Sequence, residues 1–349
     1  MKITSKTFGD LPNGAQADLF TLRNDNNVVI KVTNYGAIIT SIETPDTNGN
    51  TTNIVCGFER LEDYLSEEYL GSYPYFGAII GRNGNRIANG KYTIDGVEYS
   101  GAINNGPNHL HGGLEGFDKK LWKAETFENE NEVGVKLSYT SVDGEEGYAG
   151  TLVTNCIYSL NNENELSIKY EAETDKKTLV NLTNHSYFNL TGGQGDIKNH
   201  ELELTASKMT ENIDLIPTGK IIPVAGTAFD FTTSKKLGKD IDSLPDGYDL
   251  NYVLDNEEGK FVFAGRLKET TSGRQVEVYT TQPGIQVYTG YWIPELTIRG
   301  EKKFGSYAGV ALETQHYPDA PNHPEFPSTI LAPGEKYEEQ TVYKFGLIE

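Results

Sequence analysis

The chain has little of what most often announces a function. Among its 349 residues there are two cysteines, Cys56 and Cys156, too few for a disulfide framework and at no metal-binding spacing. Each lies in an apolar strand-like run, where a free thiol acts as a small core hydrophobe. No stretch of about 18 apolar residues occurs, so no membrane-spanning helix is expected. Met1 to Thr7 carries no apolar segment of the signal-peptide kind. Cationic side chains are scarce, 30 Lys and Arg against 50 Asp and Glu, for a formal charge of −20. That balance argues against nucleic acid and anionic membranes as partners, and mildly against a highly phosphorylated substrate. No linker-like composition, charge block or repeat divides the chain, so a single domain over residues 1–349 is expected. Three glycosylation sequons, at Asn181, Asn184 and Asn189, fall inside one strand-like stretch, where a glycan would block any site. With the missing signal peptide, this points to the cytoplasm.

What is present is β-structure. Val28–Thr33 and Ala37–Ile42 flank Asn34-Tyr35-Gly36 as a hairpin, and Asp95-Gly96 separates Lys91–Ile94 from Val97–Tyr99 as a tight one. Strand-like runs recur at 133–139, 151–160, 166–173, 178–190, 201–206, 275–281, 285–292, 310–314 and 341–345. Leu61 to Leu70 is the best helical window. Many short strands, few and short helices and 37 glycines for turns predict an all-β, antiparallel β-sandwich built as one large domain.

The stretch Asn181 to Leu190 is the most unusual of these runs. At period two, one face carries Asn181, Thr183, His185, Tyr187 and Asn189, all able to hydrogen bond. A solvated outer face would ordinarily carry Lys, Glu and Thr; this set reads better as a concave polar site. Six histidines are present. His109 and His111, in Asn108-His109-Leu110-His111-Gly112-Gly113, form an H-x-H pair that would place both rings on one strand face. Together with His185 and Glu313 they would suit a transition metal; His109 as a plain loop residue is the simpler alternative. Gly81-Arg82-Asn83-Gly84-Asn85-Arg86-Ile87 lacks a phosphate loop's lysine and its strand–turn–helix setting, and offers instead fork-shaped donors and amides suited to sugar hydroxyls or carboxylates. Glu313 interrupts the apolar run Val310 to Leu312, and burial there would raise its pKa towards that of a working base. Asp249 reads equally well as a turn residue.

Taken together, these motifs resemble the aldose 1-epimerases, or galactose mutarotases. The resemblance lies in Gly81-Arg82-x-x-Asn85-Arg86-Ile87-Ala88-Asn89-Gly90-Lys91-Tyr92, in Asn108-x-x-His111-Gly112-Gly113 with Gly116-Phe117-Asp118-Lys119, and in Asn184-His185-Ser186-Tyr187-Phe188-Asn189-Leu190. It continues in Leu215-Ile216-Pro217-Thr218-Gly219, Pro283-Gly284-Ile285-Gln286-Val287-Tyr288 and Leu312-Glu313-Thr314-Gln315-His316-Tyr317-Pro318. The chain departs from the family at Val142 and Ala149, at Asp249-Leu250 and at Ala206 to Met209; the last two bear on which aldose is preferred. The resemblance implies the galactose mutarotase-like supersandwich fold and interconversion of the α and β anomers of free aldohexoses such as galactose and glucose. It also implies Glu313 as base, His185 as acid, and Asn85, Arg86, His111, Asp249 and Gln286 as sugar contacts. No cofactor or metal is implied. The expected partner is a small monosaccharide, with no nucleic acid or membrane, and a monomer or homodimer is expected. Two alternatives share the fold: a hexose-6-phosphate 1-epimerase, which needs a basic cluster, and a non-catalytic carbohydrate-binding protein, which has no need of both Glu313 and His185.

Overall fold

The computed structural model describes residues 1–255, 259–298 and 300–348. Among these, the named strands pair antiparallel, and three sheets dominate. The first five strands, Lys2–Asp10 through Thr51–Asn53, form a meander in chain order. A nine-stranded sheet runs from Lys123–Glu128 through Glu132–Ser141, Leu152–Asn161 and Glu165–Thr174 to Tyr337–Leu347, then through Arg274–Thr280, Val262–Lys268 and Glu201–Leu204 to Lys235–Lys236. A six-stranded sheet orders Tyr187–Phe188, Val310–Gln315, Gly284–Tyr288, Asp249–Val253, Lys208–Ile213 and Ile216–Pro223.

The two larger sheets pack face to face, and side-chain alternation decides which face of the smaller one looks inward. Val310 and Leu312, Ile285 and Val287, and Leu250 and Tyr252 all join one buried cluster with Ile168, Val276, Val278 and Tyr343 of the larger sheet. Thr314 continues that inward row, its hydroxyl bonded to that of Thr341, and Tyr343 Oη donates to Leu312 O at 3.1 Å. The intervening residues Glu313, Gln286, Tyr288 and Asp249 therefore share the opposite face. A second cluster, with Phe8, Phe58, Tyr64, Tyr69, Phe76, Tyr187 and Ala311, fills the space under the first meander.

Two expected elements differ. The helix over 61–70 is two single turns, Leu61–Tyr64 and Glu67–Leu70. Ser66 stops the first and caps the second, its Oγ accepting from Tyr69 N at 3.3 Å. The Tyr64 and Tyr69 hydroxyls accept from Phe58 N and Phe76 N and so tie these turns to the neighbouring loops. The polar stretch 181–190 is likewise not one strand. Thr183–Asn184 pairs with Ile80 and Ile79, whereas Tyr187–Phe188 pairs with Ala311 and Val310. The break is made by Asn184, whose Oδ1 accepts from Ser186 N at 3.1 Å while its Nδ2 donates to Gly77 O at 2.9 Å, an Asx turn in place of a ladder. The expected five-residue polar face is therefore not continuous. All ten residues are buried; Asn181 holds the His316 backbone, and Asn189 holds Gly195 O and Ala308 O.

Candidate active site

The exposed face of the six-stranded sheet forms the floor of a cleft of about 560 Å³, and its lining includes Asn85, Arg86, His111, His185, Asp249, Gln286 and Glu313. All seven sugar-site residues expected from the sequence thus converge, from six separate stretches of chain. Glu313 and Gln286 are directly opposed across two strands, as are Asp249 and Tyr288, so register alone places three of them. His185 enters at the Asx-turn break, held by His185 N donating to Ala78 O at 2.9 Å and His185 O accepting from Gly77 N at 3.0 Å. Its Nε2 lies 3.5 Å from Glu313 Oε1.

Burial governs the electrostatics. Glu313 is 2% exposed, and desolvation, aided by the Asp249 carboxylate and opposed by Arg86, holds its carboxyl well above the usual range. Desolvation pushes His185 down to about 4. Both shifts favour uncharged forms, so burial favours a single proton held between the two groups. Burial also raises Asp249, against the pull of Arg86 and of Gln286, whose Nε2 donates to Asp249 Oδ1 at 2.6 Å. That bond fixes the Gln286 amide and leaves its Oε1, a buried acceptor, without a hydrogen-bond partner. Arg86 Nη2 stands 3.9 Å from Asp249 Oδ2.

His111 sits at a left-handed backbone position, φ 52°, and the Asn85 N–H donates to its Nδ1 at 3.2 Å. A backbone N–H can only donate, so Nδ1 supplies a lone pair and the neutral ring carries its hydrogen on Nε2. This bears on the metal alternative. His111, His185 and Glu313 do place ligand atoms within 4.8 Å of one another. Coordination through His111 Nε2 would need a lone pair there, and so would break the Asn85 bond. The set fits hydrogen bonding better than metal ligation. The H-x-H pair does not share a face: His109 turns away, with Nδ1 2.8 Å from Ala102 O and Nε2 2.8 Å from Tyr148 Oη.

Tyr75, which the sequence did not single out, packs on both imidazoles, its ring centroid 4.8 Å from His111 and 5.9 Å from His185. It belongs to a strand-free loop, Leu70 to Tyr75, that lines the cleft, and has φ 59°. Its only sequence signal is the neighbouring Pro74. Asn105, which the sequence did not single out either, also lines the cleft. Tyr187 is 2% exposed and packs against Phe76 and Tyr288. Trp292, 64% exposed, stands at the cleft mouth. Cys56 and Cys156 are buried free thiols. Among the described residues, no helix is long and apolar enough to cross a membrane.

Known proteins match this chain over nearly all its length. A family profile described as aldose 1-epimerase matches residues 18–344. The galactose mutarotase of Bos taurus is 44% identical over 353 residues, covering 99% of this chain and 99% of that protein. The aldose 1-epimerase of Escherichia coli strain K12 is 37% identical over 343 residues, covering 96% of each chain. In three dimensions, the crystal structure of galactose 1-epimerase from Lactobacillus acidophilus NCFM superposes with a TM-score of 0.86 at 27% identity, covering 100% of this chain and 99% of that one. The fold, the convergent cleft and these matches together place the chain in the aldose 1-epimerase family.

Proposed function

We propose that this isomerase interconverts the α and β anomers of free aldohexoses, galactose and glucose among them, with Glu313 as base and His185 as acid. The observation that carries the reading is the buried Glu313–His185 pair, 3.5 Å apart, on the floor of a polar cleft. Anomerisation needs one group to take the proton of the C1 hydroxyl and another to protonate the ring oxygen as the C1–O5 bond breaks. A pair holding a single proton supplies both when that proton sits on His185 and Glu313 is a carboxylate. Ring opening moves the hydroxyl proton to Glu313 and the His185 proton to O5. Rotation about C1–C2 and closure on the other face reverse both transfers. Nothing is oxidised or reduced, and the pair returns to its starting state.

The remaining side chains sort by hydrogen-bond sense. Arg86 and the His111 Nε2–H are donors; Asp249 and Gln286 Oε1 are acceptors. A sugar hydroxyl both donates and accepts, and fits between two such walls. Among the described residues lining the cleft, Arg86 is the sole lysine or arginine, against the carboxylates of Asp246, Asp249 and Glu313, which favours a neutral sugar over a sugar phosphate. The test is polarimetry on freshly dissolved α-D-galactose and α-D-glucose with EDTA present. The expected result is a faster approach to the equilibrium rotation than in buffer. An unchanged rate with both sugars would overturn the reading.

A further inference from the structure

Arg86 has a long, flexible side chain, and its ability to meet a sugar depends on where the guanidinium is held. On the strand side Nη2 faces Asp249 at 3.9 Å, too far for a direct hydrogen bond. On the other side Nε donates to Asn105 Oδ1 at 3.0 Å, within good hydrogen-bond range. Asn105 is itself held in place. Its backbone closes a tight turn across Gly106-Pro107, with Asn105 N donating to Asn108 O at 3.1 Å and Asn108 N to Asn105 O at 2.9 Å. The preceding Asn104 staples the loop to the His111 turn, its Nδ2 donating to Leu110 O and Gly113 O and its Oδ1 accepting from Leu110 N. Asn108 Oδ1 accepts from Asn89 N on the far flank. The loop is thus fixed by groups other than the Asn105 side chain, whose described hydrogen bond is the one to Arg86.

We propose that Asn105 is a positioning residue for substrate binding: it clamps the Arg86 Nε so that the η nitrogens stay aimed across the cleft at the sugar and Asp249. The inference rests on the sugar-binding reading above. With the clamp removed, the guanidinium samples several rotamers, and sugar binding must select the productive one. The loss falls on ground-state and transition-state binding alike, and so on KM.

The experiment compares Asn105→Ala, Asn105→Asp and Arg86→Lys, singly and with Arg86→Lys combined with Asn105→Ala, by polarimetry on galactose and by thermal melting. Asn105→Ala should raise KM about tenfold while kcat stays within about twofold and the melting temperature holds, because the turn is closed by backbone. Asn105→Asp keeps an acceptor for Nε and should restore KM. Lysine has no Nε–H, so adding Asn105→Ala to Arg86→Lys should raise KM no further. An unchanged KM in Asn105→Ala, failure of the aspartate to rescue, or an equal additional loss in the Arg86→Lys background would each overturn the proposal. If the wild type binds galactose without turning it over, the mutarotase reading falls, and the same comparison is decided on Kd by calorimetry. If the wild type binds no sugar, both fall.

Discussion

At the residue scale, the proposed chemistry rests on a carboxyl and an imidazole whose pKa values burial drives in opposite directions. Glu313→Gln keeps the shape and removes the base, so anomerisation should fall by roughly 10²–10⁴-fold while galactose still binds. Retained turnover in stopped-flow polarimetry would show that another group takes the C1 proton. The pair's shared proton also sets the pH profile. A second proton enters as pH falls towards the His185 value of about 4, and the last one leaves only above the raised value of Glu313. kcat/KM should therefore show its acid limb near 4 instead of near the ordinary histidine value. An acid limb at about 6.5 would mean that His185 titrates as an exposed imidazole does. Asp249→Ala should chiefly weaken sugar binding, seen as a raised KM at nearly unchanged kcat; a wholly structural Asp249 would show instead as lost stability with normal kinetics.

At the element scale, the site depends on where a strand stops. The sequence shows Glu313 clearly, because a carboxylate in the run Val310 to Leu312 breaks an apolar pattern that the fold keeps. Cross-strand register then brings Gln286 and Asp249 alongside, which no local pattern reveals. His185 was legible as a residue but not as a position: the alternation suggests an unbroken strand, and only the Asn184 side chain bonding to Ser186 N breaks it. Tyr75 and Asn105 lie in loops shaped by left-handed backbone and tight turns, where period-two reasoning has no purchase. His109 looked like a partner to His111 because strands alternate, yet the chain turns after Leu110. The support of His185 makes a test. Gly77 has φ 68°, donates to His185 O, and a Cβ there would sit 2.0 Å from Ile39 O. Gly77→Ala should lower stability by at least about 2 kcal/mol and reduce kcat along with it, as read by urea denaturation and polarimetry. Full activity at lowered stability would detach His185 from this turn.

At the scale of the whole molecule, buried titratable groups tie stability to pH. His316 is held near 4 by burial, with Nδ1 2.8 Å from Gln282 Oε1, outside the proposed catalytic pair. Between about 6.5 and 4 the unfolded chain binds a proton there that the folded chain does not, so this histidine takes away stability as pH falls, by up to about 1.4 kcal/mol per unit. Asp118, raised to about 6, acts in the opposite sense, losing stability as pH rises from the ordinary carboxylate value through 6. The total curve mixes the two, so the informative comparison is His316→Gln against the wild type. The variant's urea midpoint should fall less steeply between pH 6.5 and 4.5, whatever its offset at pH 7; parallel curves would show that His316 does not carry this linkage. The order of the nine-stranded sheet has a different consequence, one that concerns synthesis. Tyr337–Leu347 lies between Glu165–Thr174 and Arg274–Thr280 but is translated after both. Glu165 meets Lys344 across 179 positions of chain. On the ribosome, Glu165–Thr174 therefore keeps an open edge through roughly the second half of synthesis. An unpaired edge of this kind is open to wrong pairing until the central strand arrives to close the sheet.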